Sequence, residues 1–211
     1  MHQKKSTGDE FPIPHLVHVA DPMCSWCYAF GPQLDRILDD SQLPVRLVMG
    51  GLFIGRRALP LDAELRRYLG QTWTRVSDMS GRPIARDLLE WDSWTYDTEV
   101  ACRAVVAVRE SHPDRALEFF DRVQRAFYAE NLDTTDPDVV AELGADFGLA
   151  ASTLISDEIA SATLADFAEA GQMDAHGFPT LLLHTGAELI TVAAGYVKAD
   201  HVLRSIKMFV G

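Results

Sequence analysis

Apolar residues recur along the chain with two different spacings, and these spacings predict its helices and strands. Residues 15–20 and 45–49 are short apolar runs that predict strands, whereas residues 25–39 carry apolar positions at helical spacing. Pro32 lies inside this helix and is expected to kink it. A strand, a helix and a second strand in this order favour two parallel strands joined by a right-handed crossover. The N-terminal part of the chain is therefore predicted to be a βαβ unit.

The middle of the chain has helical spacing and no strand signal. Helices are predicted over residues 61–70, 72–79, 98–110, 115–130 and 156–172. A further helix is predicted to begin at Pro137, after the N-cap residue Asp136, and to end at a C-cap on Gly148. Residues 61–176 are therefore expected to form an all-helical insert.

Strand signals return after the insert. Residues 180–184 and 189–194 predict a β-hairpin that turns at Gly186, and residues 199–210 predict a closing amphipathic helix. The whole order is βαβ, helical insert, ββα. It divides the chain into a flexible tail (1–14), a first half (15–60), the insert (61–176) and a second half (177–211).

The composition excludes several classes of protein. The chain has 211 residues, of which 47% are hydrophobic and 24% charged, as expected for an ordinary globular protein. No apolar stretch is long enough to predict a transmembrane helix, and the first 14 residues lack the apolar core of a secretory signal. We therefore expect a cytoplasmic protein with no membrane partner. The net charge of −12, concentrated in the insert, argues against nucleic acid as a partner.

The candidate chemistry lies in the segment Cys24-Ser25-Trp26-Cys27. Two cysteines three positions apart, at the start of a helix, can close a disulfide within one helical turn. Unpaired backbone N–H groups and the helix dipole stabilise a thiolate at Cys24, and a thiolate is the nucleophile of thiol–disulfide exchange. Cys27, one turn further along, is expected to be more buried and to resolve the mixed disulfide.

Two other interpretations of this pair stay open at this point. Cys24 and Cys27 are also half of a zinc site, although no second CxxC motif completes it, or they are two unrelated buried cysteines. Their position between a strand and a helix favours redox chemistry. The third cysteine, Cys102, lies on an apolar helix face and is expected to be buried and inert.

Residues near the pair each have a functional and a structural interpretation. Asp21 could relay the proton of Cys27 or tune the dithiol, or it could cap the turn that precedes the helix. Trp26 could contact unfolded substrates or cover the helix N-terminus. Gly50 and Gly51 could form a turn, which we favour, or allow the backbone to approach a ligand closely.

Two segments of the sequence resemble one known family. Residues 21–27 (DPMCSWC) resemble the active-site segment of DsbA-like thioredoxin-fold oxidoreductases, and most of all their cytosolic branch, described as protein-disulfide isomerases. Residues 177–180 (GFPT) resemble the cis-proline loop of that family, and Pro32 is similar to its helix-kinking proline. The resemblance extends over residues 15–211, including the insert. It implies an α/β thioredoxin-like fold, βαβ–ββα, with a large helical insert.

The resemblance also implies which residues act. Pro179 would be cis and would pack against the dithiol, and the Phe178 backbone next to Thr180 would pair with an extended substrate. Cys24 and Cys27 would catalyse thiol–disulfide exchange on protein or peptide thiols and disulfides, with glutathione as a candidate redox partner and no metal or other cofactor.

Two alternative functions fit the same residues less well. One is a glutathione-dependent transferase or isomerase, of the kappa-class or 2-hydroxychromene-2-carboxylate isomerase type. Those enzymes resemble the same fold but typically carry a serine where Cys24 stands. The other is a peptide-binding module without catalysis, which would use the apolar surface around Trp26 and Phe178.

Overall fold

A four-stranded mixed sheet forms the centre of the molecule in the computed structural model, which describes residues 11–210. The predicted tail over residues 1–14 lies mostly outside that range. The strands are β1 (His15–Ala20), β2 (Val45–Met49), β5 (Thr180–His184) and β6 (Leu189–Ala194), in the spatial order β2-β1-β5-β6. β1 pairs with β2 in parallel and with β5 antiparallel, and β5 pairs antiparallel with β6. This topology confirms the predicted βαβ–ββα framework.

Helices cover both faces of this sheet. The eight α-helices among the described residues are α1 (Ser25–Ser41), α2 (Ala63–Ser80), α3 (Glu99–Ser111), α4 (Ala116–Tyr128), α5 (Pro137–Leu143), α6 (Ala151–Leu154), α7 (Asp157–Gln172) and α8 (Ala199–Val210). Alternate residues of β1 face opposite sides, as the pleat requires. Leu16 packs with α1 and α8, whereas Val17 and Val19 pack with Ala170 of α7. β1 is consequently buried along its whole length.

The insert contains one short strand that its sequence pattern did not predict. Thr95–Tyr96 (β4) pairs antiparallel with Leu59–Pro60 (β3), so the expectation of an all-helical segment was wrong at this position. Two residues are too few for the alternation of apolar and polar positions that identifies a strand. The pair ties the insert to the end of the first half of the fold.

Several helix boundaries also differ from the prediction. α2 is one continuous helix through Gly70, where two helices were expected. α5 has the predicted N-cap, Asp136, but it ends at Leu143, and a separate 3₁₀ turn runs from Ala145 to Phe147. Gly148, in the left-handed conformation at φ 70°, ends that turn instead of α5. None of the helices in the described part of the chain is long and apolar enough to cross a membrane.

A buried ion pair joins the insert to the sheet. Arg109 of α3 lies 2.6 Å from the carboxylate of Asp166 on α7, which is also the acceptor for the backbone N–H of Met49. The same guanidinium donates to the Leu47 carbonyl on β2. Because the Asp166 side chain is only 8% exposed, the pair is held away from water and fixes two insert helices against the sheet.

Candidate active site

Cys24 lies where the sequence pattern placed it, at the N-terminus of α1. β1 ends at Ala20, the chain turns through residues 21–23, and Cys24 is the N-cap residue with φ −86° and ψ 116°. Its backbone N–H donates to the carbonyl of Asp21 at 3.1 Å, which closes the turn. Cys24 is therefore placed at the positive end of the α1 dipole, beside the unpaired N–H groups of the first helical turn.

Cys27, one turn into α1, is the more deeply buried of the two thiols. Its exposed fraction is 1%, against 5% for Cys24, as predicted. Both cysteines are free thiols in this structure. Burial raises the pKa of Cys27 well above its usual value, and the hydrogen bond and charge of Cys24 raise it further. A main-chain hydrogen bond with Asp21 opposes that rise. Cys27 therefore keeps its proton until the reaction removes it.

The loop before β5 faces the first thiol. The Phe178–Pro179 peptide bond is cis, as the family resemblance implied. The Cys24 Sγ lies 3.5 Å from the Phe178 carbonyl oxygen and donates to it. Thr180 shapes the loop, because its hydroxyl donates to the carbonyl of Gly177 at 2.7 Å. A segment far away in sequence thus presents its backbone to Cys24.

The Phe178 side chain packs directly on the end of β2. A Cβ atom at Gly50 would overlap the Phe178 ring, so this position requires glycine for close packing. Gly51 makes the turn, with φ 65°, and its carbonyl accepts a hydrogen bond from Arg57 at 2.8 Å. The turn that we favoured is therefore confirmed at Gly51, whereas Gly50 packs against the Phe178 ring of the same chain and the approach of a ligand stays a prediction.

Asp21 is completely buried beneath the dithiol, and its carboxylate has four hydrogen-bond donors. One carboxylate oxygen accepts from the backbone N–H of Met23 at 2.9 Å. The other accepts from the Leu52 N–H at 2.7 Å, the Thr98 hydroxyl at 2.7 Å and the Cys102 thiol at 3.4 Å.

The structure confirms the structural interpretation of Asp21, whereas its functional role stays a prediction. The bond to Met23 caps the turn, and the carboxylate is also close enough to Cys27 for its charge to raise the pKa of that thiol. Burial raises the pKa of Asp21 itself, and the hydrogen bonds from Leu52, Thr98, Met23 and Cys102 oppose that rise.

The other two motif residues differ in exposure. Ser25 is buried at the start of α1, whereas Trp26 is partly exposed. The Trp26 ring lies 6.4 Å from the ring of Tyr196, and the Arg75 guanidinium lies 5.6 Å from its centroid. Trp26 therefore forms part of the rim of the site.

A small groove of about 130 Å³ opens beside Cys24. Its aromatic lining consists of Trp26, Phe53, Tyr68, Tyr96 and Phe178. The aromatic residues that the sequence places between 68 and 96 therefore divide between two roles. Tyr68, which is 56% exposed, borders the groove, whereas Trp73 is buried in the core.

Sequence reasoning missed the insert residues that contact the turn before Cys24. The hydroxyls of Tyr96 and Tyr128 both donate to the Met23 carbonyl and lie 3.3 Å from each other. Cys102 is buried as expected, but it donates to Asp21, and so it is part of the site. Thr98 is the first residue of the helix predicted over residues 98–110, and that position is the one signal that could have drawn attention to it.

The described residues offer no ready metal site. Within residues 11–210, no group of three or more His, Cys, Asp or Glu side chains could hold a metal ion.

Fold and site together define a class of protein, and comparison with known proteins identifies the family. The chain belongs to the family of the DSBA-like thioredoxin domain, whose model matches residues 15–206. Among curated protein sequences, none matches the chain significantly.

Solved structures show the same relationship. A "putative protein disulfide isomerase" from Nitrosomonas europaea is 31% identical, with a TM-score of 0.84 over 94% of this chain and 98% of its own. The cytosolic disulfide reductase DsbM from Pseudomonas aeruginosa is 25% identical, with a TM-score of 0.74 over 92% of this chain and 97% of its own, and it is also known with GSH. A 2-hydroxychromene-2-carboxylate isomerase shares only the fold, at 15% identity and a TM-score of 0.60 over 92% of this chain and 93% of its own.

Proposed function

We propose that the protein is a thiol–disulfide oxidoreductase or isomerase that acts on protein or peptide disulfides through Cys24 and Cys27. The observation that carries this proposal is the geometry at Cys24. Its sulfur lies at a helix N-terminus, one turn from a buried second thiol, and 3.5 Å from the carbonyl of the residue before a cis-proline. Membership of the DSBA-like thioredoxin domain family agrees with this chemistry.

The reaction proceeds by two thiol–disulfide exchanges. The Cys24 thiolate attacks one sulfur of a substrate disulfide, a new S–S bond forms, and the other substrate sulfur leaves as a thiolate that takes up a proton. Cys27 then loses its proton and attacks the Cys24 sulfur, which releases the second substrate thiol. The substrate gains two electrons, and the protein is left with a Cys24–Cys27 disulfide. The reverse sequence oxidises a dithiol, and the two directions together isomerise disulfides.

The cis-proline loop is the proposed docking edge for the substrate. The Phe178 backbone beside Pro179 and Thr180 would pair with an extended peptide, in the way that an added strand joins a sheet edge. Such pairing would bring the substrate disulfide over Cys24, because the Phe178 carbonyl already faces that sulfur. Trp26 would contact apolar side chains of the substrate from the opposite side of the groove.

Glutathione is the proposed redox partner, and the cytoplasm the proposed location. Two glutathione molecules supply the two electrons that return the Cys24–Cys27 disulfide to the dithiol, and they become one oxidised glutathione. The cytosolic DsbM reductase, a relative at 25% identity with a structure containing GSH, supports both parts of this proposal. Ser25, which is buried between the two cysteines, and Asp21, which lies beneath them, would tune the pair.

Equilibration in glutathione buffers of graded ratio tests the function. After rapid acid quenching and alkylation of free thiols, peptide mass gives the state of each cysteine. We expect a reversible two-electron transition confined to the Cys24–Cys27 peptide, whereas Cys102 should be found as an alkylated free thiol at every glutathione ratio. Cys27→Ser should accumulate a glutathione adduct at Cys24, whereas Cys24→Ser should form neither adduct nor disulfide.

Two outcomes would refute the proposal. Absence of a disulfide at every glutathione ratio would exclude a redox-active pair and direct attention to glutathione-dependent isomerase activity. Peptide binding that is unchanged in the Cys24→Ser, Cys27→Ser double variant, without turnover in the wild type, would indicate a binding module.

A further inference from the structure

Helix α3 of the insert directs its N-terminal turn at the carboxylate beneath the dithiol. Thr98 is the residue before α3, and Cys102 lies in its first turns. Both side chains are completely buried, and both donate to the same oxygen of Asp21. The positive end of the α3 dipole also faces this carboxylate. The insert thus contacts the site through polar groups as well as through apolar packing.

The four donors around Asp21 have different abilities to respond to a proton. The backbone N–H groups of Met23 and Leu52 can only donate. The Thr98 hydroxyl can rotate and accept, because a hydroxyl carries lone pairs, and it already lies 3.4 Å from the Phe53 N–H as an acceptor. The Cys102 thiol can turn in the same way, although it is a weaker donor and acceptor. These two side chains are therefore the adjustable half of the cage.

Asp21 is bound to the resolving thiol through its main chain, and its carboxylate charge acts on that thiol. Cys27 must lose a proton in the second exchange, and a buried carboxylate with a raised pKa can receive it. Once Asp21 carries the proton, its carboxyl group gains a donor and loses acceptor capacity, and a neighbour that turns from donor to acceptor satisfies the new O–H. Only Thr98 and Cys102 can make that change.

We propose that Thr98 and Cys102 are positioning residues that hold the Asp21 carboxylate ready to accept the proton of Cys27. This inference rests on the proposed oxidoreductase function and deepens it, since it makes the insert part of the proton path. The groups whose titration can affect Asp21 lie on four elements. They are Cys27 of α1, Tyr96 of β4, Cys102 of α3 and Tyr128 of α4.

The rate of the resolving step as a function of pH tests the proposal. Reduced protein is mixed with oxidised glutathione, the reaction is quenched in acid, and mass spectrometry follows the conversion of the Cys24–glutathione adduct into the internal disulfide. The rate of this conversion should fall at low pH, and this falling part of the pH–rate profile, its acidic limb, reports protonation of Asp21. We expect Asp21→Asn to abolish the limb.

Loss of a donor should move the acidic limb to higher pH, since fewer hydrogen bonds then favour the ionised carboxylate. We expect this shift in Thr98→Val and in Cys102→Ala. At a pH on the limb, the resolving rate should fall on the order of tenfold in Thr98→Val, from the loss of one hydrogen bond to a charged group. Thr98→Ser and Cys102→Ser, which keep a donor, should restore the wild-type profile.

Thr163→Val is the matched control, because Thr163 is an equally buried threonine whose hydroxyl donates within α7 at 2.7 Å. It should leave the limb in place. An unchanged limb in both Thr98→Val and Cys102→Ala, with an active dithiol, would overturn the inference while leaving the proposed function intact. A wild-type protein that forms no internal disulfide would instead refute the function. Cys102→Ala keeps the test decisive if Thr98→Val fails to fold.

Discussion

A buried histidine makes the stability of this protein depend on pH in a way that can be calculated. His18, on the central strand β1, is 1% exposed and lies between the rings of Phe30 and Phe120, whose centroids are 5.9 and 6.1 Å from its own. Its Nδ1 atom has no hydrogen-bond partner among the described residues. Burial alone lowers the pKa of His18 from 6.5 to about 4.

The sign of the effect follows from proton linkage. Between pH 6.5 and about 4, the unfolded chain binds a proton at His18 and the folded chain does not. The neutral, buried His18 therefore costs the folded state no stability above pH 6.5. The free energy of unfolding falls as the pH falls from 6.5 towards 4, because protons then bind the unfolded chain preferentially. With these two pKa values, lowering the pH from 8 to 5.5 costs about 1.4 kcal/mol of unfolding free energy at this residue.

Urea unfolding of wild type and His18→Leu at several pH values measures this contribution. The lower limit of pH 5.5 keeps the protein above its isoelectric point of about 4.9. The substitution shifts stability at every pH, but only the pH-dependent difference between the two proteins reports the titration. The unfolding free energy of the wild type minus that of His18→Leu should fall by about 1.4 kcal/mol from pH 8 to 5.5. Contributions from Asp21, whose raised pKa gives the opposite slope, are common to both proteins and cancel.

An exposed histidine provides the control. His201→Leu, which replaces an exposed histidine of α8, is unfolded under the same conditions and shows the effect of removing a histidine that is not buried. Parallel curves for wild type and His18→Leu, with a difference that stays constant within about 0.3 kcal/mol, would refute the reasoning. His18 would then gain a compensating partner on protonation, or it would be hydrated in solution.

Three further predictions concern the site and its support. Gly50→Ala should displace the Phe178 ring and slow thiol–disulfide exchange at least about tenfold by misplacing the loop. Gly171→Ala, where an added Cβ meets nothing, should leave the exchange rate unchanged. Equal exchange rates in the two variants would contradict the packing argument. The reduction potential of the Cys24–Cys27 pair, measured by glutathione equilibration, should lie below that of DsbA, about −120 mV. Trp26→His should raise this potential, since a cationic neighbour stabilises the thiolate; a wild-type potential as high as that of DsbA would contradict this. Arg109→Met should lower the unfolding free energy by about 3–5 kcal/mol, because it leaves a buried carboxylate unpaired; a loss below about 1 kcal/mol in urea unfolding would show that this carboxylate finds another partner or is hydrated.

The sequence predicted those parts of the fold that have a long periodic signal. The helix over residues 115–130 was predicted from an apolar face that includes Phe119 and Phe127, and both residues are buried in α4. The hairpin of β5 and β6 was predicted from two apolar runs around a glycine, and Gly186 does adopt a positive φ of 96°. In such segments local preference and burial agree, so the sequence pattern alone is sufficient.

The parts that sequence reasoning missed depend on contacts between distant residues. Thr98 and Cys102 are 77 and 81 positions from Asp21, and neither has an unusual sequence context. A threonine before a helix predicts an N-cap, but the Thr98 side chain makes no cap hydrogen bond and binds Asp21 instead. The Thr98 hydroxyl is directed to Asp21 because a buried carboxylate needs donors, and the Asp97 side chain accepts from the Glu99 N–H at the start of α3 instead.

The insert holds the turn before Cys24 from two sides. The Tyr96 and Tyr128 hydroxyls donate to the Met23 carbonyl, and Thr98 and Cys102 donate to the Asp21 carboxylate. Three residues of turn are thereby fixed by four side chains of another segment. The backbone geometry that sets Cys24 at the start of α1 is consequently a property of both parts of the chain.

This arrangement has a consequence for how such a protein can change. Substitutions on the outer faces of the insert helices are expected to leave the site unchanged, whereas substitutions at the inner polar residues Thr98 and Cys102 are expected to alter the dithiol through Asp21. The thioredoxin-like framework supplies the two thiols and the proposed docking edge, and the insert supplies the donors that fix the turn and the buried carboxylate. Tyr96 does both, since it lines the groove and donates to the turn, whereas Thr98 and Cys102 contact only the buried side, so substitutions at these two residues are expected to change the redox properties of the pair and leave the docking loop the same.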